Sequence, residues 1–214
     1  MKIAMKKIIT LIYFMILAVS LFAQGIKSIV LNPPDLKRGL PVMEALSQRA
    51  SAGEFTATKL SLQDLSDLLW AANGINRKET GKRTAPSAMN AQDIDVYLFD
   101  DIGVYIYDAP NHILNPVSSG DKRGFVAGSQ ADFAKAPVIL VLISDTTRFK
   151  SGDDGQKLTW AAFDAGIVSQ NISLFCAGIG LKTRPRASMD QQKLREILHL
   201  KDSQLLMLND PVSY

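Results

Sequence analysis

Apolar and polar positions alternate along this chain in a few distinct rhythms. Between Ser61 and Gly74, Leu62, Leu65, Leu69 and Ala72 recur at helical spacing. Ser61 with Asp64 forms a capping-box variant at its start, and Gly74 is a stop signal at its end. Pro41 occupies a favoured first-turn position and opens a shorter helix, "VMEALSQRAS", with Met43, Leu46 and Ala50 as its apolar side. "IDVYLFDDIGVYIYD" is two β-rich runs around a tight polar turn, which predicts a hairpin. "APVILVLISD" (136–145) is continuously apolar between Pro137 and Asp145 and predicts a central strand. Residues 75–92 and 146–155 read as loops, and 111–136 is mixed, with short helices expected near 120–135. A long helix is expected over 156–180. A short strand near 181–184, a helix from Asp190 to Leu198 and a last strand near 204–209 follow. This order predicts an α+β fold, helices around a small, mostly antiparallel sheet. The single domain spans 41–214, and Pro33, Pro34 and Gly39 mark 24–40 as an extended lead-in.

The long helix raises a question. On a helical wheel Ala162, Gly166, Ser169, Gln170, Ser173, Ala177 and Gly180 fall within about 100° of arc. Trp160, Asp164, Ile167, Val168, Asn171, Leu174 and Phe175 lie opposite. Both faces therefore read as buried, one of them by close backbone approach. The neighbour on the small-residue side is either another helix of the same chain or the same helix of a second copy. Pattern alone leaves both open.

The N-terminus follows another logic. Lys2, Lys6 and Lys7 precede an apolar run from Ile8 to Val19, and small residues follow at Ala18, Ser20 and Ala23. That is the layout of a secretory signal peptide over 1–23, with export to a bacterial periplasm expected. The run is short for a membrane span. Removing those three lysines takes Lys+Arg from 24 to 21, equal to the 21 Asp+Glu. A neutral remainder gives no footprint for nucleic acid.

Chemistry-bearing residues are few. Cys176 is the only cysteine, in apolar surroundings, and reads as a core thiol. With only His112 and His199, neither a metal-ligand spacing nor a Ser-His-Asp set is present. Two stretches suit an anion or a ligand. "QRASAGEF" puts Arg49 and Ser51 just past a helix, a guanidinium and a hydroxyl that fit a phosphate. "RTAPSAMNAQD" places Pro86, Ser87, Asn90 and Gln92 in a loop that feeds a strand.

Four segments in order, "ALSQRASAGEF", "APSAMNAQD", "DAGIVSQNISLFCAGIGLKT" and "LNDPVSY", resemble the motifs of the nitroreductase-like flavoprotein family, and especially its branch related to azoline-forming and thiazole oxidases. The resemblance covers 41–214. It implies a helix–sheet sandwich that forms an intertwined homodimer, with flavin mononucleotide (FMN) bound between subunits and the small-residue helix at the interface. It also implies roles. Arg49 and Ser51 would grip the phosphate. Pro86, Ser87, Ala88 and Asn90 would hold the ribityl chain and ring from one side. Pro185, Arg186, Ala187 and Ser188, in "TRPRAS", would lie beside the ring, their backbone N–H groups near its reducible edge. Gly53 stands where the family often has a second basic residue, and no basic residue follows the last strand. Arg49 is therefore expected to be the main phosphate charge.

The expected activity is FMN-dependent oxidoreduction of a small-molecule substrate, with NAD(P)H, a quinol or a partner protein as electron donor. The competing expectation is a non-catalytic binding protein with weakened flavin affinity on the same fold.

Overall fold

The computed structural model describes residues 25–214. The export signal expected over 1–23 lies outside the described residues.

The core is a seven-stranded antiparallel sheet. Its strands, in chain order, are β1 (Ile29–Val30), β4 (Ile94–Phe99), β5 (Gly103–Asp108), β6 (Ile113–Ser119), β7 (Val138–Asp145), β8 (Lys182–Thr183) and β9 (Gln204–Ser213). They are arranged β1-β6-β5-β4-β7-β9-β8. A separate small hairpin pairs β2 (Ile75–Arg77) with β3 (Lys82–Arg83). The apolar run at 136–145 is β7, central as expected, between β4 and β9. Its side chains alternate strictly. Val138, Leu140 and Leu142 enter one core layer, while Ile139, Val141 and Ile143 enter the other.

Two helices cover the first layer, α2 (Leu62–Asn73) and the long α4 (Asp154–Ile179). The opposite layer is closed by α3 (Arg123–Ala127) and α5 (Gln191–Leu198). The short α1 (Val42–Gln48) rests on the C-terminal half of α4, where Gly178 admits the Cβ of Ala45 to 3.7 Å of the position its own Cβ would take. A reciprocal capping box between Asp153 and Gln156 starts α4, and Gly180 in the left-handed region (φ 78°) ends it. Gly74 ends α2 differently. Its φ of −75° is open to any residue, but an added Cβ would stand 2.5 Å from Cδ1 of Trp70.

Several expectations are corrected. The sheet is larger than the pattern indicates because residues 113–119 form β6 rather than part of a mixed segment. Asn115 and Pro116 break the apolar alternation there. Pro116 is tolerated because β6 is bonded along its length only to β5, with β1 touching just Ile113 and Leu114. The lead-in contributes that edge strand. The last strand continues to Ser213 past Pro211. On α1 the predicted apolar side is exposed: Met43 is 74% and Leu46 45% accessible, and Ala45 is the residue that packs.

The small-residue stripe of α4 also divides. Ser169 and Ser173 turn inward and are buried, whereas Ala162, Gly166 and Gln170 are exposed in the single chain, flanked by Phe163 at 64%. The wheel places all of them in one arc; the position of β9 decides which edge of that arc is covered.

Candidate functional site

Three segments carry the residues singled out by sequence, and the fold brings two of them together. Arg49 is the C-cap of α1, its N–H bonded to Ala45 O at 2.9 Å. The chain then runs alongside β8, held by the N–H of Ala52 to the carbonyl of Thr183 at 2.9 Å. Arg49 and Ser51 are exposed, and among the described residues the Arg49 guanidinium enters no ion pair or hydrogen bond. Beyond β8 lie Pro185, Ala187 and Ser188, all exposed. The expected phosphate grip and ring-edge segment are therefore neighbours in one copy of the chain.

Arg186 belongs to the scaffold of that segment. It is 7% exposed. Its guanidinium donates to Asn209 Oδ1 (2.8 Å), Gln130 Oε1 (2.9 Å) and the carbonyl of Ala127 (3.0 Å), and lies 4.2 Å from the Phe133 ring centroid. Burial without an acidic partner pulls its pKa down, and Arg184 nearby adds to that. The side chain is committed, and so is its backbone, which exchanges both hydrogen bonds with Asn209 (2.8 and 2.7 Å). Arg184, by contrast, is exposed.

Behind the 48–54 segment is a cavity of about 400 Å³, walled by Ala50, Ala52, Ala177, Leu181, Ser173 and Thr183. The hydroxyls of Ser173 and Thr183 are buried there without hydrogen-bond partners among the described residues. Cys176 in the same wall is a fully buried thiol, its pKa pushed well up by burial and by Asp210, and it has no nucleophilic character. Asp210, on the α4-facing side of β9, accepts a hydrogen bond from Ser169 (2.7 Å) with one oxygen, and the other has no partner among the described residues. Burial pushes its pKa up to about 7.

The third segment lies elsewhere. The turn Ala88–Asn90 is fixed to α4 by Asp164, whose two carboxylate oxygens accept the N–H of Ala88 at 2.9 and 3.1 Å. Ser87 Oγ accepts from Gln92 N (2.8 Å), while Pro86 and Asn90 are exposed. Asp164 and Ala177 are separated by thirteen residues of α4, roughly 20 Å along the axis. One copy of the chain does not bring the 86–90 loop to Arg49.

Sequence reasoning singled out Asp164 only as a polar residue in an apolar helix, and it missed Asp93, Asn209 and Asp210. Asp93 is wholly buried at the start of β4, its Oδ2 accepting from Ser144 Oγ at 2.5 Å. The signal was available in Asp210, which falls on the inward beat of the alternation Leu208, Asp210, Val212.

The residues present fit a phosphate-bearing ligand. An unpaired exposed guanidinium and hydroxyl adjoin a backbone segment that Asn209 and Arg186 hold rigid. Comparison with known proteins points the same way. The nitroreductase family model matches residues 46–209. Over 187 residues the chain is 29% identical to a provisionally named nitroreductase of Methanocaldococcus jannaschii, covering 82% of this chain and 92% of that protein. A solved structure from Ralstonia eutropha JMP134, also provisionally named a nitroreductase, has a TM-score of 0.82 at 32% identity over 89% of this chain and 90% of that one. A chain of the E. coli microcin synthetase McbBCD complex shares the fold, with a TM-score of 0.69 at 19% identity over 92% and 80%.

Proposed function

The chain belongs to the nitroreductase family, whose members are generally FMN-dependent oxidoreductases, and from that premise we propose that two copies of it bind FMN between them and oxidise or reduce a small molecule. The observation that carries this reading is the free, exposed pair Arg49 and Ser51, laid against β8 beside 185–188 by the Ala52–Thr183 hydrogen bond.

Arg49 would meet the phosphate dianion with a charge-assisted, bidentate contact, and Ser51 would add a hydroxyl donor. Exposed Ala187 and Ser188 would set backbone donors at the ring edge, in a segment whose position the buried Arg186 fixes. The second half of the site would come from the other copy. A two-fold axis crossing α4 near Gln170 apposes the Asp164 end of one helix to the Ala177 end of its mate, which carries the 86–90 loop to the Arg49 segment. The exposed small edge of α4 and the exposed apolar side of α1 support that arrangement. FMN would supply the hydride acceptor and donor. Pro86, Ser87, Ala88 and Asn90 would then orient the ligand from the second copy and exclude water.

Export, membership of the branch related to azoline-forming oxidases, and NAD(P)H, a quinol or a partner protein as electron donor are parts of the same proposal. The charge and apolar order of residues 1–23 support the first. Purified protein lacking 1–23 is expected to be yellow, with one FMN per chain released on denaturation. Colourless protein that binds neither added FMN nor riboflavin would overturn the reading in favour of a flavin-free binding protein.

A further inference from the structure

The loop from Pro86 to Gln92 is held in a conformation its residues resist. Met89, Asn90 and Gln92 have φ of 53°, 54° and 49°, the left-handed region in which an L side chain crowds its own carbonyl oxygen. Such a loop persists only where its surroundings hold it. Ser87 closes it on itself, Arg83 and Arg148 hold Gln92 through Oε1 and the carbonyl, and Asp164 binds Ala88 to α4.

Asp164 is 3% exposed, and the titratable group within its hydrogen-bond reach is a second carboxyl, Asp93, at 0%. Asp93 Oδ1 has no hydrogen-bond partner among the described residues. The charges around the pair are otherwise engaged. Arg148 is bonded to both oxygens of Asp95 and lies 3.9 Å from Asp145, and Arg83 donates to Gln92 Oε1 and Asn73 O. The gap beside Asp164 is about 10 Å³, room for one water at most. Two carboxyls meeting in such a place cannot both be ionised. A proton on Asp93 Oδ1 satisfies that oxygen, donates to Asp164, and leaves Asp164 free to accept Ala88.

We propose that Asp93 carries a proton that it donates to Asp164 and that this proton latches the 86–92 loop to α4, so that ionisation of Asp93 releases a loop which, on the reading above, completes the flavin site of the second copy. Asp93 and Asp164 are positioning residues; neither touches the ligand. Burial, the dominant cause, and the neighbouring Asp164 raise Asp93 to about 7 against the opposing Ser144 hydrogen bond. The latch is therefore closed below neutrality and opens as pH rises through it.

Amide exchange at Ala88, corrected for intrinsic base catalysis and measured from pH 5.5 to 9, reads the latch whether or not flavin is bound. Protection in the wild type is expected to fall tenfold or more across a transition near pH 7. Asp93→Asn, whose amide donates to Asp164 at every pH, should abolish the transition and keep protection high. Ser144→Ala, which removes the donor that favours ionised Asp93, should move the transition to higher pH and serves if Asp93→Asn does not fold. Protection that is flat in the wild type, or a transition unchanged in both variants, would overturn the latch. FMN dissociation followed over the same range reads the consequence: release should accelerate with the same midpoint. An exchange transition with no change in FMN release would overturn the loop's place in the flavin site and leave the proton latch standing.

Discussion

Arg186 and Asn209 hold each other four times, through a reciprocal pair of backbone hydrogen bonds at 2.8 and 2.7 Å, through Nη1 of the arginine to Oδ1 of the asparagine at 2.8 Å, and through Nδ2 of the asparagine to the arginine carbonyl at 3.2 Å. The contact joins the segment after β8 to β9 and ties both to the Val126–Gln130 turn. A residue that the family resemblance places beside the cofactor thus acts as the brace of the segment that faces it.

Replacing Arg186 is therefore expected to cost stability before it costs affinity. Arg186→Lys keeps the charge and loses the planar fork, leaving buried carbonyls unpaired at about 1–3 kcal/mol each. A fall in urea midpoint, with phosphate-dependent flavin discrimination retained, is the expected result. A variant of unchanged stability that loses selectivity for FMN over riboflavin would place the guanidinium on the phosphate instead.

Arg49 should behave in the opposite way. It is exposed and unpaired, so Arg49→Ala is expected to leave the urea midpoint within about 0.5 kcal/mol of wild type. Loss of a charge-assisted contact of about 1.5–3 kcal/mol should weaken FMN on the order of 10- to 100-fold. Gly53 offers no second cation to compensate. Riboflavin, without a phosphate, should bind mutant and wild type alike. Flavin fluorescence quenching measures both affinities, and equal weakening of the two ligands would make Arg49 structural.

Association through α4 is tested at Gly166. Ser173, in the same wheel arc, is 3% exposed within its own chain, so a large residue there would disrupt the protomer itself. A Cβ at Gly166 meets nothing within 4 Å. Gly166→Arg should accordingly fold, with improved helix propensity, and run as a monomer by light scattering where the wild type runs as a dimer. A dimeric Gly166→Arg would move the interface off this edge of α4.

Buried Asp210 gives stability a recognisable pH dependence. Its pKa is raised to about 7 in the fold, so the native state binds its proton more tightly than the unfolded chain. That contribution is fully present below the unfolded value of about 3.9 and is lost as pH rises through 7. Asp64 has the opposite sign. Burial raises it, but hydrogen bonds from Ser61, Tyr214 and Arg38 together lower it, so its contribution is present above about pH 4 and lost below. Urea midpoints should peak near pH 4 and decline from there to about pH 7. Asp210→Asn should lessen that decline, leaving the part that Asp93 contributes, since the amide preserves a partner for Ser169 without a charge to bury. An unaltered slope in the variant would remove Asp210 as its source.

Much of this protein is determined by sequence alone. The periodicity of α2, the hairpin around Asp100–Gly103 and the apolar run of β7 are local consequences of spacing and side-chain chemistry, and each forms where the pattern places it. The family motifs likewise mark Arg49 and Ser51 without reference to a fold. Only the tertiary structure decides what those elements meet. β6 exists because β5 supplies partners that outweigh Asn115 and Pro116. One edge of the α4 stripe is buried and the other open because β9 passes beneath the first. Arg186 is a brace because Gln130, Phe133 and Asn209, distant in sequence, converge on it. Asp93 and Asp164, seventy-one residues apart, are both buried only when β4 packs under α4. Burial and pairing between distant residues leave no periodic trace in a sequence. Their effect on charge depends on distance and on water being excluded, and both are set by packing.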